Sequence, residues 1–115
     1  MGTTGWHILR DDTSVTVARH LPARFDLCVT TRIAAPQGVS RTALAQQVRQ
    51  DLWRAAQRLR GFSPVVRVAG AEGALVIEAG GRCDGATGGA QARIAEVLES
   101  PANRRRWLAH AGRRA

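Results

Sequence analysis

Alternation of apolar and polar residues predicts two strands in the first third of the chain. In SVTVAR, residues 14–19, Val15 and Val17 lie on one face, and FDLCVTTRI, residues 25–33, alternates in the same way over its whole length. A period of two is typical of strands with one buried face. The preceding WHILR segment is predicted as part of an N-terminal arm or an extra strand within residues 1–12, because the DDT that follows it is not a preferred tight-hairpin sequence.

The longest helix is predicted over residues 41–60. Ser40 is a favourable N-cap, and Gly61 follows the last predicted turn, where glycine commonly ends a helix. At about 100° per residue, five apolar side chains fall within an arc of roughly 80°, which defines the face toward the core. They are Leu44, Val48, Leu52, Ala55 and Leu59.

The second half of the chain predicts a hairpin and two helices. Strands are expected at 64–69 and 74–79, with Gly70 and Gly73 in the turn between them. AQARIAEVLE is helical in its spacing, and Pro101 after Ser100 begins a basic C-terminal helix, residues 101–115.

These elements predict a single α+β domain over residues 1–115. The expected fold is a two-layer sandwich: a four-stranded, mainly antiparallel sheet with helices on one face, in the order ββαββα plus a short C-terminal helix. At fold level this order is similar to permuted ferredoxin-like sandwiches, an analogy that implies no function.

Composition narrows the classes of protein to consider. No apolar run approaches the roughly 20 residues that span a bilayer, and the first residues lack a signal-peptide pattern, so we expect a cytoplasmic protein without a membrane partner. Cys28 and Cys83 are far apart and belong to no ligand motif, which predicts two free thiols, no metal and no cofactor.

Trp53 lies outside the apolar face of the long predicted helix. With Leu44 as origin, Trp53 falls about 130° from the centre of that face. An exposed indole forgoes roughly 2 kcal/mol of transfer free energy, so it is expected to contact another group. The alternatives are an N-terminal arm carrying Trp6, Ile8 and Leu9, a protein partner or second copy, and a stacked nucleobase.

The neighbours of Trp53 on that side of the helix are long polar side chains. A tryptophan beside arginines has the composition of an interaction hot spot. The first hypothesis is therefore a non-enzymatic, small basic binding module that binds a protein partner or associates with itself. The residues predicted to bind this partner are Trp53, Arg49, Gln50, Gln57 and Arg60.

The net charge of +8 is concentrated at the C-terminal end. The chain has 17 arginines and no lysine, and residues 104–114 carry five of the arginines without an acidic residue. This predicts, as an alternative, a nucleic-acid-associated protein that binds the phosphate backbone. A docked helix with a solvated basic face is the other interpretation. The nucleic-acid-binding residues would be Arg105, Arg106, Arg113 and Arg114.

The glycine-rich GGRCDGATGG, residues 80–89, lies between a predicted strand and a predicted helix. It matches neither phosphate-loop motif, so the backbone amides of Gly88 and Gly89 are a weak candidate for anion binding beside a simple connector. Cys83 makes a thiol-dependent enzyme a remote third hypothesis. Gly89 stands where a phosphatase loop would place its arginine, and no catalytic residue is predicted.

The sheet face away from the helices is predicted to lack aromatic side chains. An RNA-recognition sheet would stack bases on aromatics there, so this route to nucleic-acid binding is disfavoured. The residues expected on that face are Thr16, Ala18, Cys28, Thr30, Arg32, Val65, Arg67, Val76 and Glu78.

Overall fold

The computed structural model describes residues 5–36, 38–85 and 89–112. Over these ranges the elements follow the order βββαββαα. The strands are β1 (His7–Arg10), β2 (Ser14–Ala18), β3 (Leu27–Ala34), β4 (Ser63–Ala71) and β5 (Ala74–Arg82). The helices are α1 (Arg41–Ala56), α2 (Ala90–Glu99) and α3 (Pro101–Gly112).

The described residues form one antiparallel sheet with the strand order β1-β2-β4-β5-β3. The prediction of four strands is wrong, because the WHILR segment supplies β1 as an edge strand paired with β2. The turn between these strands is held by Asp11, whose Oδ1 accepts hydrogen bonds from the backbone amides of Thr13 and Ser14, both at 2.9 Å. An aspartate that bonds to the backbone two residues ahead mimics a backbone turn, which compensates for the unfavourable DDT sequence.

The predicted hairpin is present as β4 and β5, which lie inside the sheet with β4 at its centre. Its strands are longer than expected and enclose a two-residue turn, Glu72 and Gly73, so that Gly70 lies within β4 and not in the turn. Gly73 has φ +66°, a left-handed conformation that glycine adopts without steric cost. Strands β2 and β3, although consecutive, are separated by this hairpin.

Helices α1 and α2 pack against one face of the sheet, and α3 packs against both helices. Ser40 caps α1 as predicted, since its side chain accepts a hydrogen bond from the Ala43 amide. The helix ends at Ala56, four residues before the predicted end, and turns carry the chain to Phe62. Of the predicted apolar face, Leu44, Val48 and Leu52 are completely buried. Ala55 is half-buried, and Leu59, also half-buried, lies beyond the end of the helix.

A buried carboxylate joins α3 to α1. Asp51 is 8% exposed, and its Oδ2 accepts hydrogen bonds from Trp107 Nε1 at 2.8 Å and from Arg106 at 2.7 Å. Trp107 and Ala111 of α3 are also fully buried. The basic C-terminal helix is therefore part of the packed structure.

Two structural findings concern membrane-spanning helices and metal sites. None of the helices in the described ranges has the length and apolarity needed to cross a membrane. Within the same ranges, histidine, cysteine and acidic side chains form no group of three that is suited to hold a metal ion.

Candidate functional site

An open cleft of about 800 Å³ lies at one end of the sheet, beside the second half of α1. The last residues of β2 and β5 and the first residues of β4 meet there because these strands are antiparallel neighbours. The lining residues are Trp6, Arg19, His20, Arg24, Arg49, Trp53, Gly61, Phe62, Ser63, Pro64, Arg82 and Asp84.

Trp53 provides an exposed ring in this cleft. It is 44% exposed, which confirms that it points away from the core. Its ring is nearly parallel to that of Phe62, with centroids 6.3 Å apart and 10° between the planes. Phe62 is buried and follows Gly61, whose φ of +68° redirects the chain after α1. Trp6 of the N-terminal segment lines the same cleft but leaves Trp53 open to solvent.

Trp6 lies close to two guanidinium groups. The Arg49 Cζ is 4.4 Å from the Trp6 ring centroid, and the Arg19 Cζ is 5.6 Å from it, so both make cation–π contacts. Burial lowers the pKa of Arg49, and the positive charge of Arg19 lowers it further. The direction of this pKa shift shows that the surroundings of Arg49 disfavour its positive charge.

Three arginines of the cleft lack a carboxylate partner within the described residues: Arg19, Arg49 and Arg82 form no side-chain ion pair within 4.0 Å there. Arg24 differs, because it pairs with Asp26 at 3.1 Å. An arginine stays charged at neutral pH, so this part of the cleft presents positive charge that no acidic side chain of the described residues pairs with.

The Arg82 side chain is held at the margin of the cleft by a single backbone contact. One terminal nitrogen donates to the Pro22 carbonyl oxygen at 2.7 Å, whereas Nε is buried without a hydrogen-bond partner in the described structure. Asp84 is the one acidic residue among the lining residues given above, and its amide donates to the Arg60 carbonyl oxygen at 2.8 Å. Positive side chains therefore outnumber negative ones in this lining.

A second cavity of about 540 Å³ adjoins the first half of α1, and Arg49 lines both. Its lining is polar and contains no acidic residue among the described positions. The residues are Arg10, Ser40, Thr42, Ala43, Gln46, Gln47, Arg49, Gln50 and His110. Gln46 Oε1 accepts a hydrogen bond from Arg49 Nε at 2.7 Å, which orients the side chain shared by the two cavities.

The structure brings together part of the predicted partner-binding set. Trp53 and Arg49 line the cleft, and Gln50 lines the second cavity. Gln57 and Arg60 are exposed after the end of α1 and line neither cavity. The candidate surface is therefore displaced from the predicted one toward the N-terminal segment.

The predicted phosphate-binding arginines of the C-terminal helix differ in their surroundings. Arg105 is exposed, whereas Arg106 is paired with the buried carboxylate of Asp51. Arg113 and Arg114 lie outside the described residues. Within α3, the positive charge open to a ligand is smaller than the sequence predicts.

The glycine-rich loop is described only in part. Gly89 precedes α2 without a side-chain cap, its carbonyl oxygen accepts the Arg93 amide, and Gly88 lies outside the described residues. The Cys83 amide donates to Asp26 Oδ2 at 3.1 Å. Both cysteines are free thiols, and burial raises the pKa of Cys28, which opposes formation of its thiolate.

The open sheet face carries an ion pair at its centre. Arg67 and Glu78 are register partners on β4 and β5 and are joined at 3.0 Å. Thr16 and Thr30 flank this pair in register. Leu9 of β1 continues the row opposite Thr16, so the row is polar at its centre and apolar at one edge, and none of its five residues is aromatic, as predicted. Ala18 and Val65, which were also predicted on the open face, are buried.

Most of the cleft was not identified from the sequence. The N-terminal arm with Trp6 was one of the alternatives predicted to contact Trp53, whereas Arg19 and Arg82 were not identified. The pairing of β1, β2, β4 and β5 brings these distant residues together. Searches against known protein families, curated proteins and solved structures found no match to this chain. The site is therefore interpreted from its own geometry.

Proposed function

We propose that this protein is a non-enzymatic binding module that holds an anionic partner in the cleft formed by Trp6, Trp53, Phe62 and their arginines. One observation carries the proposal: Arg19 and Arg49 lie on the ring of Trp6 without a side-chain carboxylate partner in the described structure, next to the exposed ring of Trp53. Arg49 is half-buried and Arg19 is exposed. Partly desolvated positive charge is costly unless it is paired, so an anion bound beside Arg49 would offset an existing penalty, and Arg19 would add a second positive charge.

The side chains of the cleft are suited to binding more than to chemistry. Guanidinium groups do not exchange protons near neutral pH, and indole and phenyl rings carry no nucleophile. The lining also contains His20, Ser63 and Asp84, but among the described residues no side-chain hydrogen bond joins these three groups into a nucleophile–base pair. Charge-assisted hydrogen bonds from arginine are among the strongest that a protein makes to carboxylate or phosphate oxygens. The volume of about 800 Å³ is within the usual range for a ligand site.

This proposal is compatible with both binding hypotheses. A protein partner would place an acidic segment in the cleft, and a nucleic acid would bind in the cleft and not at α3. The pairing of Arg106 with Asp51 favours the cleft over α3, because that guanidinium already has its counter-charge.

The test measures binding of fluorescently labelled polyanions to the full chain by anisotropy. Three probes are used: a polyglutamate peptide, a deoxythymidine oligonucleotide and a heparin oligosaccharide. The double variant Arg19→Gln/Arg49→Gln is expected to bind at least one of them ten times more weakly than the wild type, because it removes two unpaired charges.

Arg105→Gln is the matched control, since it removes one exposed charge outside the cleft. Equal binding of every probe by the wild type and the double variant would refute the proposal. A larger loss in the Arg105 variant would return the binding site to α3.

A further inference from the structure

We infer that the anionic partner is a single-stranded nucleic acid that lies along α1, from the aromatic cleft past Arg49 into the second cavity. This inference rests on the proposed function, and it names the ligand of that same site. Three observations support this inference: the two cavities adjoin, arginines line both of them, and the Trp53 ring is exposed in the first.

The two cavities adjoin at Arg49, which lines both, and a ligand that passes over this side chain would occupy them as one path. Trp53 marks the first cavity and Ala43 the second, ten residues apart on α1, which corresponds to roughly 15 Å along the helix axis. Only an extended ligand can occupy such a path. Its charges must be negative along its length, because arginines line the path at several points. Arg10, Arg49 and Arg82 are spaced along it.

The aromatic groups distinguish a nucleic acid from an acidic peptide. Trp53 is nearly parallel to Phe62 and offset from it, and its exposed part offers a flat surface on which a planar base can stack. A nucleotide combines such a planar ring with one negative charge, whereas an aspartate or glutamate side chain supplies the charge alone. The bases of a duplex are stacked on one another, so the ligand expected here is single-stranded.

The second cavity offers groups for base edges and sugars. Gln46, Gln47 and Gln50 each carry both donors and acceptors, and His110 adds a ring nitrogen at the margin. Arg10 is exposed there, with one terminal nitrogen 3.2 Å from the Thr42 hydroxyl. These side chains suit a ligand that continues beyond the aromatic cleft.

The experiment compares labelled dT12, rU12, dT3, a 12-base-pair duplex and a twelve-residue polyglutamate, with the full chain at several salt concentrations. We expect dT12 or rU12 to bind most tightly. With roughly 0.7 counterions released per phosphate contacted on a single strand, three or four contacts give a log–log salt slope of about −2 to −3.

Variants test the path itself. Trp53→Ala is expected to weaken dT12 binding roughly ten- to hundredfold, the range for loss of one stacked base, whereas Trp53→Phe retains most of the affinity. Arg10→Gln is expected to weaken dT12 severalfold and to leave dT3 unchanged, because the short strand does not reach the second cavity. Arg105→Gln is the charge control, and thermal unfolding verifies that each variant folds.

Two outcomes separate this inference from the proposed function. Preferential binding of polyglutamate, lost in Arg19→Gln/Arg49→Gln, overturns the nucleic-acid inference and leaves the proposed function standing. Absence of cleft-dependent binding by any probe overturns both. Equal affinity for the duplex, or binding of dT12 unaffected by Trp53→Ala, also overturns the inference, because stacking would then make no contribution.

Discussion

Removal of the Asp51 carboxylate is expected to destabilise the fold through the contact between α1 and α3. Asp51 is 8% exposed, and its Oδ2 accepts hydrogen bonds from Trp107 Nε1 and Arg106, at 2.8 and 2.7 Å. In Asp51→Ala the indole N–H of the fully buried Trp107 loses its acceptor. The variant therefore leaves a buried donor unsatisfied.

The expected loss can be assembled from these two contacts. A buried donor without a partner costs about 1–3 kcal/mol. The Arg106 side chain is 47% exposed, so the loss of its ion pair adds only about 0.5–1 kcal/mol. Together they predict a loss of about 1.5–4 kcal/mol in the free energy of unfolding, whereas Asp51→Asn, which retains an acceptor oxygen, should lose about 1–2 kcal/mol.

Urea unfolding followed by tryptophan fluorescence measures these free energies directly. Arg54→Ala is the control, because Arg54 also approaches Asp51, at 3.6 Å, but its side chain is 73% exposed. This control is expected to change stability by less than about 0.5 kcal/mol. A similarly small effect of Asp51→Ala would refute the reasoning, and equal losses in the Ala and Asn variants would show that the negative charge, not the acceptor, is what matters.

Three further predictions follow from the strands, a turn and a helix terminus. Gly80→Ala places a Cβ against the Leu27 carbonyl oxygen of β3 and is expected to lower the free energy of unfolding by at least about 3 kcal/mol in chemical denaturation. Gly73→Ala, where φ is positive but space is open, should lower it by about 1 kcal/mol. Similar losses in the two variants would contradict the close approach of β3 and β5. Hydrogen bonds from the backbone amides of Thr13 and Ser14 lower the pKa of Asp11. The ionised carboxylate therefore stabilises the fold above the unfolded-state pKa, and this stabilisation is lost as the pH falls through the lower folded-state pKa. An NMR titration midpoint at or above 3.8 for Asp11 would exclude this stabilisation. Ser40→Ala removes the N-cap of α1 and should lower the free energy of unfolding by about 1 kcal/mol, with Ser40→Asp as the variant that restores the cap and an unchanged urea midpoint as the contrary result.

The sequence reveals the local features because short-range periodicity controls them. The Ser40 cap, the apolar face of α1 and the β4–β5 hairpin each depend on residues a few positions apart, and each is present as predicted. The exposure of Trp53 was deducible for the same reason, since the helical repeat alone places the indole away from the core.

The burial of Asp51 could also have been predicted from its position on the long helix. Seven residues after Leu44, it lies at the edge of the same apolar face, about 20° from Leu44 at about 100° per residue. An acidic residue in that position predicts a buried partner, because an unpaired buried charge is strongly disfavoured. The identity of that partner, Trp107 with Arg106, required the packing of α3 on α1.

The sequence by itself determined the α+β class, the main helices, the central hairpin and one tryptophan directed away from the core. Only the tertiary structure decided that WHILR joins the sheet as β1 and that Trp6, Arg19 and Arg82 reach the same cleft as Trp53. The physical reason is the range of the interactions. Helical and strand periodicity act over a few residues, whereas strand pairing joins distant segments through backbone hydrogen bonds that do not depend on side-chain identity.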